Sequence, residues 1–187
     1  MSDKQVSTRT RILIGGVAAV AVTAGVVGVV ASTADSTEPG TTSPVVADAA
    51  EGNLQQSTHL TVAAATKAAQ AALDAARQEN QRVSVAVVDR DGNTIVVLRG
   101  DGAGPQSFDS AREKAFTAVS WNAPTSKLVE RLSSAPQLAD IPGTLFLAGG
   151  APVVAKGAPV AGIGVAGAPS GDQDEKFAQA GAAVLGR

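Results

Sequence analysis

The chain has 187 residues, a formal net charge of −2, one histidine (His59), one tryptophan (Trp121), one methionine, and neither tyrosine nor cysteine. That inventory excludes disulfides, thiolate metal centres and catalysis by cysteine or tyrosine, and it leaves a single imidazole for any ligation. Chemistry here falls to carboxylates, hydroxyls, backbone amides and His59.

The first 34 residues read as an export signal. Lys4, Arg9 and Arg11 precede an uncharged stretch from Ile12 to Ala31, and Ser32-Thr33-Ala34 offers the small residues that a signal peptidase needs. Cleavage after Ala34 predicts a secreted, extracellular protein. The apolar stretch is also long enough to span a bilayer. Left uncleaved, it would attach the protein to the outer face of the cell membrane, and the charge bias gives the same topology either way.

Residues 35–57 are rich in Ser, Thr, Pro, Ala and Gly without an aromatic, and predict a flexible stem. Residues 58–187 are one domain's worth of chain. Without residues 1–34 there remain 16 acidic and 12 basic side chains. No basic patch survives in that balance, which argues against nucleic acid as a partner.

Within the domain, Thr61 to about Asn80 predicts a helix capped by Thr61, with an apolar face made mostly of alanine. So small a face suits close packing on a sheet or on another subunit. Arg82 to Asp89 predicts a strand, residues 89–93 a hairpin turn, and Thr94 to Leu98 the returning strand. A glycine-rich loop leads to a second helix from Asp109 to about Ser120, capped by Asp109 or Ser107.

Asn122-Ala123-Pro124 interrupts that helix, and a short helix follows through Leu132. A strand is expected over Thr144 to Ala148, then Val153-Val154, a Lys156-Gly157 turn and a strand over Val160 to Val165. Gly162 and Gly164 thin that last strand where another surface comes close. A closing helix runs to about Leu185, with Asp172 and Glu175 spaced as a capping pair. The order helix, hairpin, helix, hairpin, helix predicts an α/β (α+β) domain: an antiparallel sheet flanked by helices, without βαβ crossovers.

Gly162-Ile-Gly-Val-Ala-Gly167 matches the letters of a dinucleotide loop, but it falls within a strand and its end instead of opening a helix. Asp109 and Glu113 lie four apart on one helical face. They can share a hard or intermediate cation, or serve as a cap and a surface glutamate with Arg112 beside them. His59 is either a polar lead-in to the first helix or the one strong nitrogen donor for iron.

From Val83 onward the chain resembles the GlcG/HbpS family, which also supplies the carboxy-terminal module of some corrinoid adenosyltransferases. The resemblance rests on Val85 to Asp89 with Gly92, Asp109 to Ala118, Phe146 to Pro152, Gly162 to Gly167, and Gly171 to Glu175 with Ala180 to Ala183. These pieces span about 100 residues in the family's order.

The resemblance implies a profilin-like layered domain, assembled as a homo-octamer, that binds haem and takes up iron ions on its surface. It implies an extracellular accessory protein that senses haem or redox stress and modulates a membrane histidine kinase. It also links Thr144 to haem, and Asp109 and His59 to iron. The family's Asp-x-x-Glu motif is altered, since Asp109-Ser-Ala-Arg112 places arginine fourth and leaves the glutamate at 113.

A haem slot also wants aromatic walls and cations near the propionates. Phe116, Trp121 and Phe146 with Arg112, Lys114 or Lys127 can supply these. A non-enzymatic binding protein is the favoured reading. The alternatives are a haem-degrading or peroxidase-like enzyme, for which acid–base work would fall to Asp109, Glu113 or His59, and a corrinoid-binding module.

Overall fold

A computed structural model describes residues 47–186. The expected export segment, and the stem through residue 46, lie outside the described residues. None of the described helices is long and apolar enough to cross a membrane.

Helix α1 (Val62–Gln78) starts where Thr61 predicts, its hydroxyl accepting from Ala64 N at 3.1 Å. Strands β1 (Ser84–Asp89) and β2 (Thr94–Arg99) form the first hairpin. Helix α2 (Ser107–Trp121) ends at Asn122 in the left-handed conformation, φ 48°, and is followed by the short α3 (Thr125–Val129). Two 3₁₀ turns, Glu130–Ser133 and Pro136–Asp140, lead to the second hairpin, β3 (Gly150–Ala155) and β4 (Ala158–Ala166). Helix α4 (Gly171–Ala183) closes the domain.

The four strands form one sheet in the order β2-β1-β4-β3, with every neighbouring pair antiparallel. The expected α/β class and antiparallel sheet are therefore present.

Alternation along β1 sends Val85 and Val87 to one face and Ala86 and Val88 to the other. The first face is covered by α1 and α4 through fully buried Ala65, Ala68, Ala69, Ala72, Ala76, Phe177 and Ala178. The second is covered by α2 through Ala111, Ala115 and Val119. A Cβ on Gly164 would fall 2.0 Å from Ala111 O, and one on Gly162 would fall 2.1 Å from Ala115 O. The missing side chains bring the α2 backbone directly onto β4, as the thinned strand predicts.

Three local expectations change. Residues 144–148 are not a strand, because other partners take their polar groups. Leu145 N donates to Thr117 Oγ1 at 2.8 Å, and Thr144 Oγ1 donates to Ile141 O at 2.7 Å. The sheet resumes only where Gly150 pairs with Gly164. Neither Asp109 nor Ser107 caps α2: its N-cap is Gln106, without a side-chain bond, and Ser107 Oγ donates to Gly104 O at 2.6 Å. Finally, Ser170 caps α4, accepting from Gln173 N at 3.3 Å, while Glu175 turns inward to receive Ser126 N (2.9 Å) and Ser126 Oγ (2.6 Å).

Candidate functional site

The β1–β2 turn organises two neighbouring sites. Asp89 Oδ1 accepts from Asp91 N at 2.9 Å and Asn93 N at 2.8 Å, and Oδ2 accepts from Asn93 Nδ2 at 3.1 Å. Burial pushes the Asp89 carboxyl up. The Asn93 and Asp91 hydrogen bonds, with His59 nearby, outweigh that and hold it below its ordinary value. Gly92 adopts φ +88°, which fits glycine at the bend.

One side of this turn meets the Phe116 ring: a Cβ on Gly92 would lie 2.9 Å from Phe116 Cε2. Here Val88, Thr94, Arg112, Glu113, Phe116 and Gly143 border a cleft of about 260 Å³. Two of the three residues expected to contact a cofactor, Arg112 and Phe116, therefore share one cleft. The third, Thr144, follows Gly143 in the chain and is partly buried. Arg112 is exposed, donating to Asp109 Oδ1 at 3.1 Å and reaching Thr94 Oγ1 at 3.4 Å.

The other side of the turn meets His59. Its Nδ1 lies 3.9 Å from Asp89 Oδ2, and its Nε2 lies 3.5 Å from Asp91 Oδ2 and 2.6 Å from Ser57 Oγ. Donor atoms of His59, Asp89 and Asp91 fall within 4.8 Å of one another, a set suited to a hard or intermediate cation. Asp109 and Glu113, the other candidate iron ligands, do not belong to that set. Asp109 pairs with Arg112 on the surface, and Glu113 borders the Phe116 cleft. Asp89 and Asp91 were legible in the sequence only as turn formers, because the approach of His59 across the fold is not a local pattern.

The remaining groups considered for a haem slot separate. Trp121 and Phe146 meet edge to face, with centroids 5.8 Å apart, and Arg131 lies 5.4 Å above the indole. Lys127 pairs with Glu130 at 3.3 Å on the surface. Lys114 is buried and bonded to Asp174 at 2.8 Å, so it is not a surface cation on the Phe116 cleft.

A family model for haem degrading proteins like HbpS matches residues 60–183. The crystal structure of a double mutant of HbpS from Streptomyces reticuli is 72% identical, with a TM-score of 0.76, covering 78% of this chain and 99% of that one. The PduOC:haem complex is 26% identical, with a TM-score of 0.62, covering 67% of this chain and 94% of that one. An uncharacterized 15.0 kDa protein from the dhaT–dhaS intergenic region of Citrobacter freundii is 32% identical over 130 residues, 67% of this chain and 91% of its own length. The stretch from Leu60 to Ala183 carries the whole layered domain, and through it the chain belongs to the HbpS-like family.

Proposed function

We propose that the protein is an extracellular haem-binding accessory protein, working as a homo-oligomer that relays haem or redox state to a membrane sensor kinase. The observation that carries haem binding is the Phe116 cleft, where an aromatic wall and the exposed Arg112 side chain stand together between Gly92 and Gly143. The haem-degrading description of the matched family and the PduOC:haem relative support the same ligand.

The residues fit a haem held by its edge. Phe116 and Val88 offer apolar contact, Arg112 offers paired donors for a propionate, and Thr144 stands at the rim as a hydroxyl contact. The lining contains no histidine, so ring contact and propionate pairing carry the affinity. At about 260 Å³ the cleft is below the roughly 300–1,000 Å³ of pockets that bury a whole small ligand. One subunit therefore covers only part of a haem, and a second copy would complete the site; this supports an oligomer such as the octamer. The bound group would supply a redox-active iron, while the chain supplies position and exchangeability.

A degrading enzyme is the second reading, favoured by the description of the matched family. His59 stands on the far side of the turn from Phe116, which leaves Glu113 as the titratable acid–base group lining the cleft. Export is supported by the basic, apolar and small-residue order of residues 4–34.

Titration of the full chain with hemin tests the main proposal. Saturable, stoichiometric growth of a shifted Soret band is expected. A shift no larger than that of an unrelated acidic protein would refute it, and tighter binding of a corrinoid would reassign the cleft. Biliverdin formed after peroxide addition, well above a free-hemin control, would move the function to the enzyme. Surface iron is tested separately: His59→Ala is expected to lower iron content more than Asp109→Ala with Glu113→Ala. Mass spectrometry of the mature amino terminus decides between a secreted and an anchored form.

A further inference from the structure

On the opposite side of α2 from Arg112 lies a second cleft, of about 310 Å³, lined by Ser107, Ser110, Lys114, Leu145, Leu147 and Asp174 among others. Its floor is the Lys114–Asp174 pair, with side chains 5% and 4% exposed. A buried ion pair adds little net stability over an apolar replacement, so stability alone is a weak reason for placing one at the base of an opening. Gly149 makes room for it: a Cβ there would sit 2.7 Å from Lys114 Nζ.

The hydrogen-bond inventory is lopsided. Asp174 Oδ2 accepts from Lys114, and Oδ1 accepts from Ala168 N at 3.0 Å, so both oxygens are engaged. Lys114 Nζ donates to Asp174 and, at 3.1 Å, to Val165 O. An ammonium has three hydrogens, and the third finds no acceptor among the described residues. Ser110 Oγ makes no hydrogen bond among the described residues either. Ser107 Oγ is spent, donating to Gly104 O and receiving Ser84 Oγ at 2.8 Å.

The cleft therefore offers surplus donors beside apolar walls from Leu145, Ala166, Ala168 and the exposed Leu147. Lys114 and Asp174 cancel in charge, and the first turn of α2 lines the opening through Ser107 and Ser110.

We propose that this cleft is a second ligand site, which takes a carboxylate carried on an apolar body. The carboxylate meets Lys114 Nζ and Ser110 Oγ, and the body lies on Leu145 and Leu147. The site does not depend on haem binding at the Phe116 cleft. The carboxylate could belong to a free monocarboxylate or to a propionate arm of haem, and competition separates the two.

The experiment is calorimetric titration of the full chain with sodium hexanoate and, in parallel, with hexanamide. Saturable hexanoate binding, about tenfold tighter than that of the amide, is expected. Leu147→Glu places a negative charge at the mouth from an exposed position and should weaken hexanoate by about tenfold without changing the melting temperature. The double change Lys114→Met with Asp174→Leu should abolish binding. If that double variant does not fold, Leu147→Glu still decides. Hexanoate displaced by hemin assigns the site to haem's own carboxylate, and simultaneous binding assigns it to a free one. No saturation with hexanoate, equal affinity for the amide, or unchanged affinity in Leu147→Glu would overturn the proposal and leave the pair as a structural tie.

Discussion

Arg112 and Lys114 stand two residues apart on α2, and the fold uses them in opposite ways. Arg112 reaches over the surface to Asp109 and Thr94, with its side chain 44% exposed. Lys114 points inward and joins α2 to residues 51 and 60 positions away in sequence. The lesson is that a helix has sides. One cation lies exposed beside an open cleft, and the other is buried where α2 meets β4 and α4.

The largest expected effect strikes the buried side. Lys114→Ala leaves the buried Asp174 without its ion-pair partner and should cost about 3–5 kcal/mol, read as a shift of the urea midpoint. A loss under about 1 kcal/mol, the range of exposed pairs, would erase the contrast with Arg112. Burial also raises the Asp174 carboxyl, against the lowering effect of Lys114.

Next is the backbone contact that sets α2 against the sheet. Gly164→Ala drives a Cβ to 2.0 Å from Ala111 O, so helix or strand must move; a loss of about 3 kcal/mol is expected in the same unfolding assay. Wild-type stability in this variant would mean that α2 does not rest on β4 as closely as the contact requires.

The β1–β2 turn beside the Arg112 cleft responds to acid. Asp89→Asn should cost about 1 kcal/mol at neutral pH through weakened charge-assisted bonds to the turn. Because the folded carboxyl is held below its ordinary value of about 3.9, its stabilising contribution is full above that pH. It is lost as the pH falls through the lower folded value. The gap between wild type and variant in urea midpoint should therefore close on acidification, and a gap that widens would reverse the assigned direction.

The smallest effect on stability belongs to the open side. Arg112→Ala should change unfolding by less than about 0.5 kcal/mol, since its ion pair is exposed. Hemin affinity should fall about fivefold, equivalent to about 1 kcal/mol, in the Soret titration. Unchanged hemin affinity would remove Arg112 from the site, whereas a large stability loss would show that the two cations are not so different.

Much of the fold was legible because its signals are local. Thr61 caps α1, Asn122 ends α2 in a left-handed turn, and the residues at 89–93 close a hairpin. Each needs only its near neighbours. The site was legible in part: Arg112 and Phe116 lie one turn apart on α2 and reach the same cleft. The neighbours of His59 were not, since Asp89 and Asp91 arrive from 30 residues or more along the chain. Thr144 to Ala148 reads as a strand by composition, yet Thr117 on α2 captures the Leu145 amide, and the segment has no strand beside it.

By itself the sequence determined the order of elements, the small-residue faces of α1 and β4, and the scarcity of ligating side chains. Periodicity, caps and residue size act over a few positions, so they survive without knowledge of the fold. Only the tertiary structure decided which charges are buried and which are exposed. That choice depends on desolvation and on partners tens of residues away, and it turned two like-charged neighbours on α2 into a surface cation and a buried one.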